Sequence, residues 1–191
     1  KCVKQDSWEE QTFVTSKKDF KCTAVWDTAI LDRLKEVVTR NFHRMRRLSD
    51  RSGVYGHPVT GKFMAAQEDL VRRQRLEIGD FNEARDFVVL LSLYSDSTQL
   101  ANKGSINIHP LIMGVANLEY EDYARELQYV CFLNLTLVDL ERVSENRARD
   151  AKRELFSMQF ERVTRSLKEA SYLGCNFSIE INGISESFRF F

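Results

Sequence analysis

The run Phe87-Val-Val-Leu-Leu-Ser-Leu-Tyr94 constrains this chain most. It is apolar but for one serine and lies between Asp86 and Asp96. A continuous apolar run of this length suits a strand buried on both faces, so the sequence predicts a central strand. Ser95-Asp96-Ser97-Thr98 stops it with turn-forming side chains, and Asn102-Lys103-Gly104 marks a further turn. Ile106 to Leu118 and Leu127 to Leu135 are two more strand candidates. The connections are short enough for hairpins, and an antiparallel meander is expected.

The sequence around this meander reads as helix and hairpin. Residues 142–173 are expected to form one long helix, with the stripe Phe156, Phe160, Val163, Leu167 and Ala170 and with Gly174 at the C′ position. Asn182-Gly183 between apolar runs predicts a closing hairpin, from Asn176 to Phe191. Before the meander, Thr12-Phe-Val14 and Cys22-Thr-Ala-Val25 are short strand-like runs. Asp27 is placed to cap a long helix with the stripe Ile30, Leu34, Val37, Val38, Met45 and Leu48, ended by Gly53 and Gly56. A second helix is expected over residues 62–77. The chain therefore divides into a mainly helical region, 1–85, and an α+β region, 86–191.

Charge sharpens that division. The 28 basic and 28 acidic residues cancel, but not locally. Residues 33–75 carry 11 basic and 4 acidic side chains, whereas residues 76–139 carry 3 basic and 10 acidic ones. Two charge readings remain open. One is a solvated basic helix near an acidic sheet edge. The other is a nucleic-acid-binding arm, built on Arg40, Arg44, Arg46, Arg47, Arg51, Arg72, Arg73 and Arg75, beside a carboxylate-rich centre. No stretch is apolar enough to span a membrane, and the start lacks the apolar core of a secretion signal. Cys2, Cys22, Cys131 and Cys175 lie far apart without metal-ligand spacing, as expected of inert thiols in a reducing compartment.

Two motifs carry chemistry. Gly56-His-Pro-Val-Thr-Gly61-Lys62 approaches a phosphate-binding loop, but Phe63 stands where a hydroxyl must meet magnesium, and the loop reading fails. Asp96 ends the most apolar strand. It either closes that strand as an Asx turn or presents a well-held carboxylate to a divalent metal, as two-metal phosphoryl transfer requires.

A resemblance bears on that choice. Leu93-Tyr-Ser-Asp-Ser-Thr-Gln-Leu100, Gly104, and His109-Pro-Leu-Ile-Met-Gly-Val-Ala-Asn117-Leu118 together resemble a block of the Plavaka and Kyakuja–Dileera–Zisupton transposases. Ala116 stands where that group often has glycine. Cys131-Phe-Leu-Asn134, Arg153-Glu-Leu-Phe156 and Leu167-Lys-Glu-Ala-Ser-Tyr-Leu-Gly174 follow in the same order. The resemblance covers residues 87–191. It implies an incomplete ribonuclease H-like domain of three antiparallel strands, a long helix and an extra hairpin, preceded by the helical basic segment.

The implied full enzyme is a nuclear cut-and-paste DNA transposase. It would bind DNA, form a homo-oligomer or act alone, and hydrolyse and transfer phosphodiesters with Mg2+ or Mn2+, with no membrane and no small-molecule substrate involved. Asp96 would be its first catalytic and metal-binding acid. The second acid belongs on a strand after the hairpin, in a "D-YPE"-like context. Glu180 and Glu186 do not match it. The chain opens on Lys1 and closes on Arg189-Phe-Phe191 in mid-strand, as expected of a fragment, and such a fragment is expected to be inactive. The alternative is a domesticated, non-catalytic DNA-binding or interaction module; a decaying remnant is a third reading.

Overall fold

The computed structural model of the chain describes residues 7–17, 20–45, 62–96, 98–99, 107–134 and 144–191. In chain order the elements are β1 (Trp8–Val14), β2 (Lys21–Asp27), α1 (Ile30–Asn41), α2 (Lys62–Glu77), β3 (Asp86–Phe87), β4 (Leu91–Ser95), β5 (Thr98–Gln99), β6 (Asn107–Val115), α3 (Tyr120–Arg125), β7 (Gln128–Asn134), α4 (Glu145–Leu173), β8 (Cys175–Ile181) and β9 (Ile184–Phe190). The fold is mixed α+β, with an antiparallel sheet and one long helix. The chain forms two compact units. The first holds Lys1–Leu31, Leu93–Met113 and Gln128–Ser166; the second holds Asp32–Ser92, Gly114–Leu127 and Leu167–Phe191. Among the described residues no helix is long and apolar enough to cross a membrane.

The first unit is built on a sheet of order β1-β2-β7-β6-β4, with β5 paired to β6. The pairs β1–β2, β2–β7 and β6–β7 are antiparallel. Residues alternate across a strand, so Cys22, Ala24 and Trp26 all face inward with Phe13 of β1. The first two thirds of α4 cover that face. Glu154 accepts the Ser16 amide at 2.7 Å, and the Arg162 guanidinium lies 5.8 Å from the Trp26 ring centre. The buried stripe of α4 here is Ala151, Leu155, Gln159 and Val163, at strict four-residue spacing. Phe156 and Phe160, expected in the core, are only half-buried and stack on each other at 6.0 Å. Of the expected stripe Val163, Leu167 and Ala170 are buried, but its first two places fall one residue earlier, on Leu155 and on Gln159, whose amide group contacts the Cys22 sulfur.

The predicted central strand is a second correction. Phe87 to Tyr94 is not one strand: β3 ends at Phe87, residues 88–90 belong to neither strand, and β4 begins at Leu91. Nor is it buried on both faces, since β4 ends its sheet and Tyr94 is 61% exposed. The break has a visible cause in the second unit. The buried Asn117 side chain takes over the hydrogen bonding, with Oδ1 accepting from the Leu90 amide at 2.7 Å and Nδ2 donating to the Val88 carbonyl at 3.3 Å. The helix expected from Asp27 to the glycines Gly53 and Gly56 is also shorter. Asp27 ends β2, and its carboxylate accepts the Ala29 amide at 3.0 Å, one turn ahead of α1. The α-helix stops at Asn41, whose side chain donates to the Val37 carbonyl at 2.9 Å; a 3-10 turn over Phe42–Arg44 follows, and Met45 is extended. Leu48, Gly53 and Gly56, with the loop over residues 56–61, lie outside the described residues.

In the second unit β8 and β9 form the expected hairpin. Asn182 and Gly183 have φ of 53° and 78°, the backbone that a tight Asn-Gly turn requires. β9 runs parallel to β3, with Asp86 opposite Arg189 and Phe87 opposite Phe190. The pairing continues past β3: the Phe191 amide donates to Phe87 at 3.1 Å and the Val89 amide to Phe191 at 2.9 Å. Phe42, Phe87, Phe177, Phe188 and Phe190 form one ring cluster, with centroid separations from 4.7 to 6.3 Å. Each such pair contributes about 0.5–1.5 kcal/mol beyond its buried area. α4 ends at Gly174, whose φ is +77°. A Cβ there would press on the Arg189 side chain and the Phe191 ring. Gly174→Ala is therefore expected to cost about 1–3 kcal/mol, read as a lowered urea midpoint.

Candidate functional site

Asp96 follows directly on β4 and is exposed to solvent. The Tyr94 hydroxyl donates to its Oδ2 at 3.3 Å. The strand end therefore does hold a carboxylate in the open. Among the described residues, however, no three His, Cys, Asp or Glu side chains gather closely enough to hold a metal ion.

The predicted basic surface looks different once its partners are visible. Arg40 makes a forked contact with Glu126, Nε to Oε1 at 3.0 Å and a terminal nitrogen to Oε2 at 2.5 Å. Arg44 meets Asp122 at 3.2 Å. Arg72 pairs with Glu83, and Arg75 with Asp80 at 3.3 Å. Arg73 donates to the Asp69 carbonyl in its own helix at 3.2 Å. Arg46, Arg47 and Arg51 lie outside the described residues. Four arginines of the basic block thus face four carboxylates of the acidic block. The regional charges that suggested two surfaces largely answer each other within the second unit.

The densest polar cluster was not singled out by the sequence. Arg189 on β9 donates to Asp86 at 3.1 and 2.5 Å and to both Asp80 carboxylate oxygens at 2.8 and 3.0 Å. It also reaches the Asp80 carbonyl at 3.0 Å. Asp86 Oδ2 accepts the Asn82 amide as well, at 2.9 Å. The guanidiniums of Arg75 and Arg189 lie 4.5 and 4.8 Å from the Phe191 ring centre. Hydrogen bonding to Asp86, then to Asp80, holds the Arg189 guanidinium above its ordinary value. Hydrogen bonding to Arg189 in turn holds the Asp80 carboxyl below the usual carboxylate range. Every donor and acceptor here faces another protein group, and the cluster serves to lock the fold. A signal did exist: an arginine in an otherwise apolar strand end, Phe188-Arg-Phe-Phe191, needs a buried partner.

The described thiols carry no site either. Cys22, Cys131 and Cys175 are buried and free. Burial pushes the Cys22 thiol up to about 11, partly offset by the Gln159 contact, and the Cys131 thiol up to about 12. Thiolates are the reactive form, so these sulfurs are inert near neutral pH.

These environments make three predictions. Asp86 is 4% exposed at its side chain and Asp80 47%, so Asp86→Ala strands a partly buried cation and costs far more than Asp80→Ala. The depressed folded-state value of Asp80 means its contribution is present above about pH 4, the unfolded-state value, and lost as pH falls through the folded value. Asp80→Asn should flatten the acid limb of a urea-midpoint series. Separately, a thiol reagent at pH 8 should leave Cys22 and Cys131 unmodified until denaturant is added; rapid labelling of the native chain would contradict their burial.

No protein-family model, no curated protein and no solved structure matches this chain.

Proposed function

We propose that the chain is part of a DDE-type DNA transposase similar to the Plavaka and Kyakuja–Dileera–Zisupton group, acting in the nucleus, with Asp96 as the first catalytic acid of a ribonuclease H-like domain. The observation that carries this reading is the place of Asp96. It stands at the C-terminal end of β4, whose neighbours in the sheet are β6 and then β7, in chain order. A ribonuclease H-like sheet likewise opens on three neighbouring strands in chain order, whereas the parallel pair of β9 with β3 lies in a separate sheet of order β3-β9-β8.

The chemistry of the full enzyme would be metal-dependent phosphodiester hydrolysis and strand transfer on DNA, with Mg2+ or Mn2+. Among the described residues no three carboxylate, histidine or cysteine side chains gather there, and this does not fit a metal pair. The chain as given is therefore proposed to be inert in catalysis. Removing even one metal-binding acid collapses two-metal chemistry, because both the attacking and the leaving oxygen lose their stabilising charge.

A second reading, a non-catalytic DNA-binding or interaction module, is favoured by one observation. Among the described residues no group of three metal-ligating side chains forms around Asp96, while the Arg44 side chain is 66% exposed.

Two measurements separate these. In a supercoiled-plasmid nicking assay with Mg2+ or Mn2+, the chain should show no turnover above buffer. Turnover that disappears in Asp96→Asn would overturn the inert reading. The coding sequence that follows Phe191 tests the family. An aspartate in a "D-YPE"-like context on a next strand supports the transposase, and its absence leaves the module.

A further inference from the structure

The short helix α3 carries two carboxylates four residues apart, Asp122 and Glu126, counting the residue that closes the helix. Arg40 and Arg44 are also four residues apart, at the end of α1 and in the turn after it. Residues at this spacing share one helix face. The two pairs match in antiparallel order, Arg40 with Glu126 and Arg44 with Asp122, all within the second unit. The forked Arg40–Glu126 contact is the geometry in which a guanidinium grips two oxygens of a carboxylate or of a phosphate.

We propose that Asp122 and Glu126 act as an acidic latch that occupies Arg40 and Arg44 in place of a nucleic-acid backbone, so that the chain binds duplex DNA weakly until α3 releases them. The inference rests on the DNA-binding reading above and adds its regulation. Three observations carry it. First, Arg40 and Arg44 are both held by carboxylate oxygens, Arg40 through a forked pair, and a phosphate offers a guanidinium oxygens of the same kind. Second, the cations stay reachable while the carboxylates are tucked in: the Arg44 side chain is 66% exposed and its partner Asp122 20%. Third, an ion pair with one member in water is held weakly, so a polyanion with many charges can displace it. The remainder of α3 is lightly anchored. None of its residues is buried, and its main fixed point is the Tyr123 hydroxyl, 2.6 Å from that of Ser92. The Tyr123 ring lies against Gly114, where any side chain would collide with it.

The test is equilibrium binding of a short labelled DNA duplex, across a sodium chloride series, by four proteins. These are the wild type, Asp122→Asn/Glu126→Gln, Arg40→Gln/Arg44→Gln, and the charge-matched control Glu121→Gln/Glu180→Gln. Circular dichroism melting reports on folding. The latch variant should bind several-fold tighter than wild type. Its log–log salt slope should steepen by about 1.8, the release expected from two added phosphate contacts. The control should change little, and the arginine variant should bind no tighter than wild type. Asp122→Asn alone touches only the more exposed pair, and it should give a smaller gain in the same direction if the double variant folds poorly. Equal affinity and slope in wild type and latch variant would overturn the latch while DNA binding stands. An equal gain in the control would overturn it in favour of bulk charge. No binding by any protein would remove the DNA reading and the latch with it.

Discussion

The fold of the second unit depends on Arg189. A guanidinium at the end of an apolar hairpin strand cannot be left unpaired without a large desolvation cost, and Asp86 and Asp80 meet it from the segment that leads into β3. That requirement places Asp86 opposite Arg189, and the parallel register of β3 and β9 follows. The register brings Phe87 and Phe190 side by side and seats them in the ring cluster with Phe42, Phe177 and Phe188. Gly174 completes the arrangement: without a Cβ, it lets the end of α4 pass close over Arg189 and Phe191. The polar lock gives direction, and the aromatic rings give most of the apolar burial.

The same electrostatic logic reorganises the charge pattern. A block of arginines followed by a block of carboxylates first suggests a surface for polyanions and another for cations. In the structure Arg40, Arg44, Arg72 and Arg75 each face a carboxylate from residues 80–126. A chain of zero net charge is thereby neutral in space as well as in sum, at least over these four pairs. Any nucleic-acid partner must compete with ligands the protein already supplies. The partners of the basic block were invisible in the sequence, because each pair joins residues 5 to 86 apart and only folding brings most of them together.

Local patterns were legible where a local cause sufficed. The Asn182-Gly183 turn needs left-handed backbone at both positions, and few other dipeptides accept it. Gly174 ends α4, and α2 spans residues 62–77, as propensity and spacing indicate. The strands β6 and β7 fall within three residues of the ends of their apolar runs. The misreadings share one cause. The run Phe87–Tyr94 has the composition of a buried strand, yet the Asn117 side chain interrupts it from 27 residues away. On α4 the two phenylalanines lost their expected core places to Leu155 and Gln159, because the face the helix buries depends on the sheet beneath it. Asp96 was placed at a strand end correctly, but whether it has companions was never a local question.

By itself, then, the sequence determined α2, the long helix, most of the strands, the hairpin turn and the carboxylate after β4, but not the short helix α3 or the break between β3 and β4. These rest on backbone preferences and periodicities that act over a few residues. Only the tertiary structure decided which arginines are spoken for, which strand β9 joins and in what direction, and that Asp96 has no metal-binding group around it among the described residues. Those outcomes depend on contacts between distant segments, where burying or pairing a charge is worth more than any local propensity.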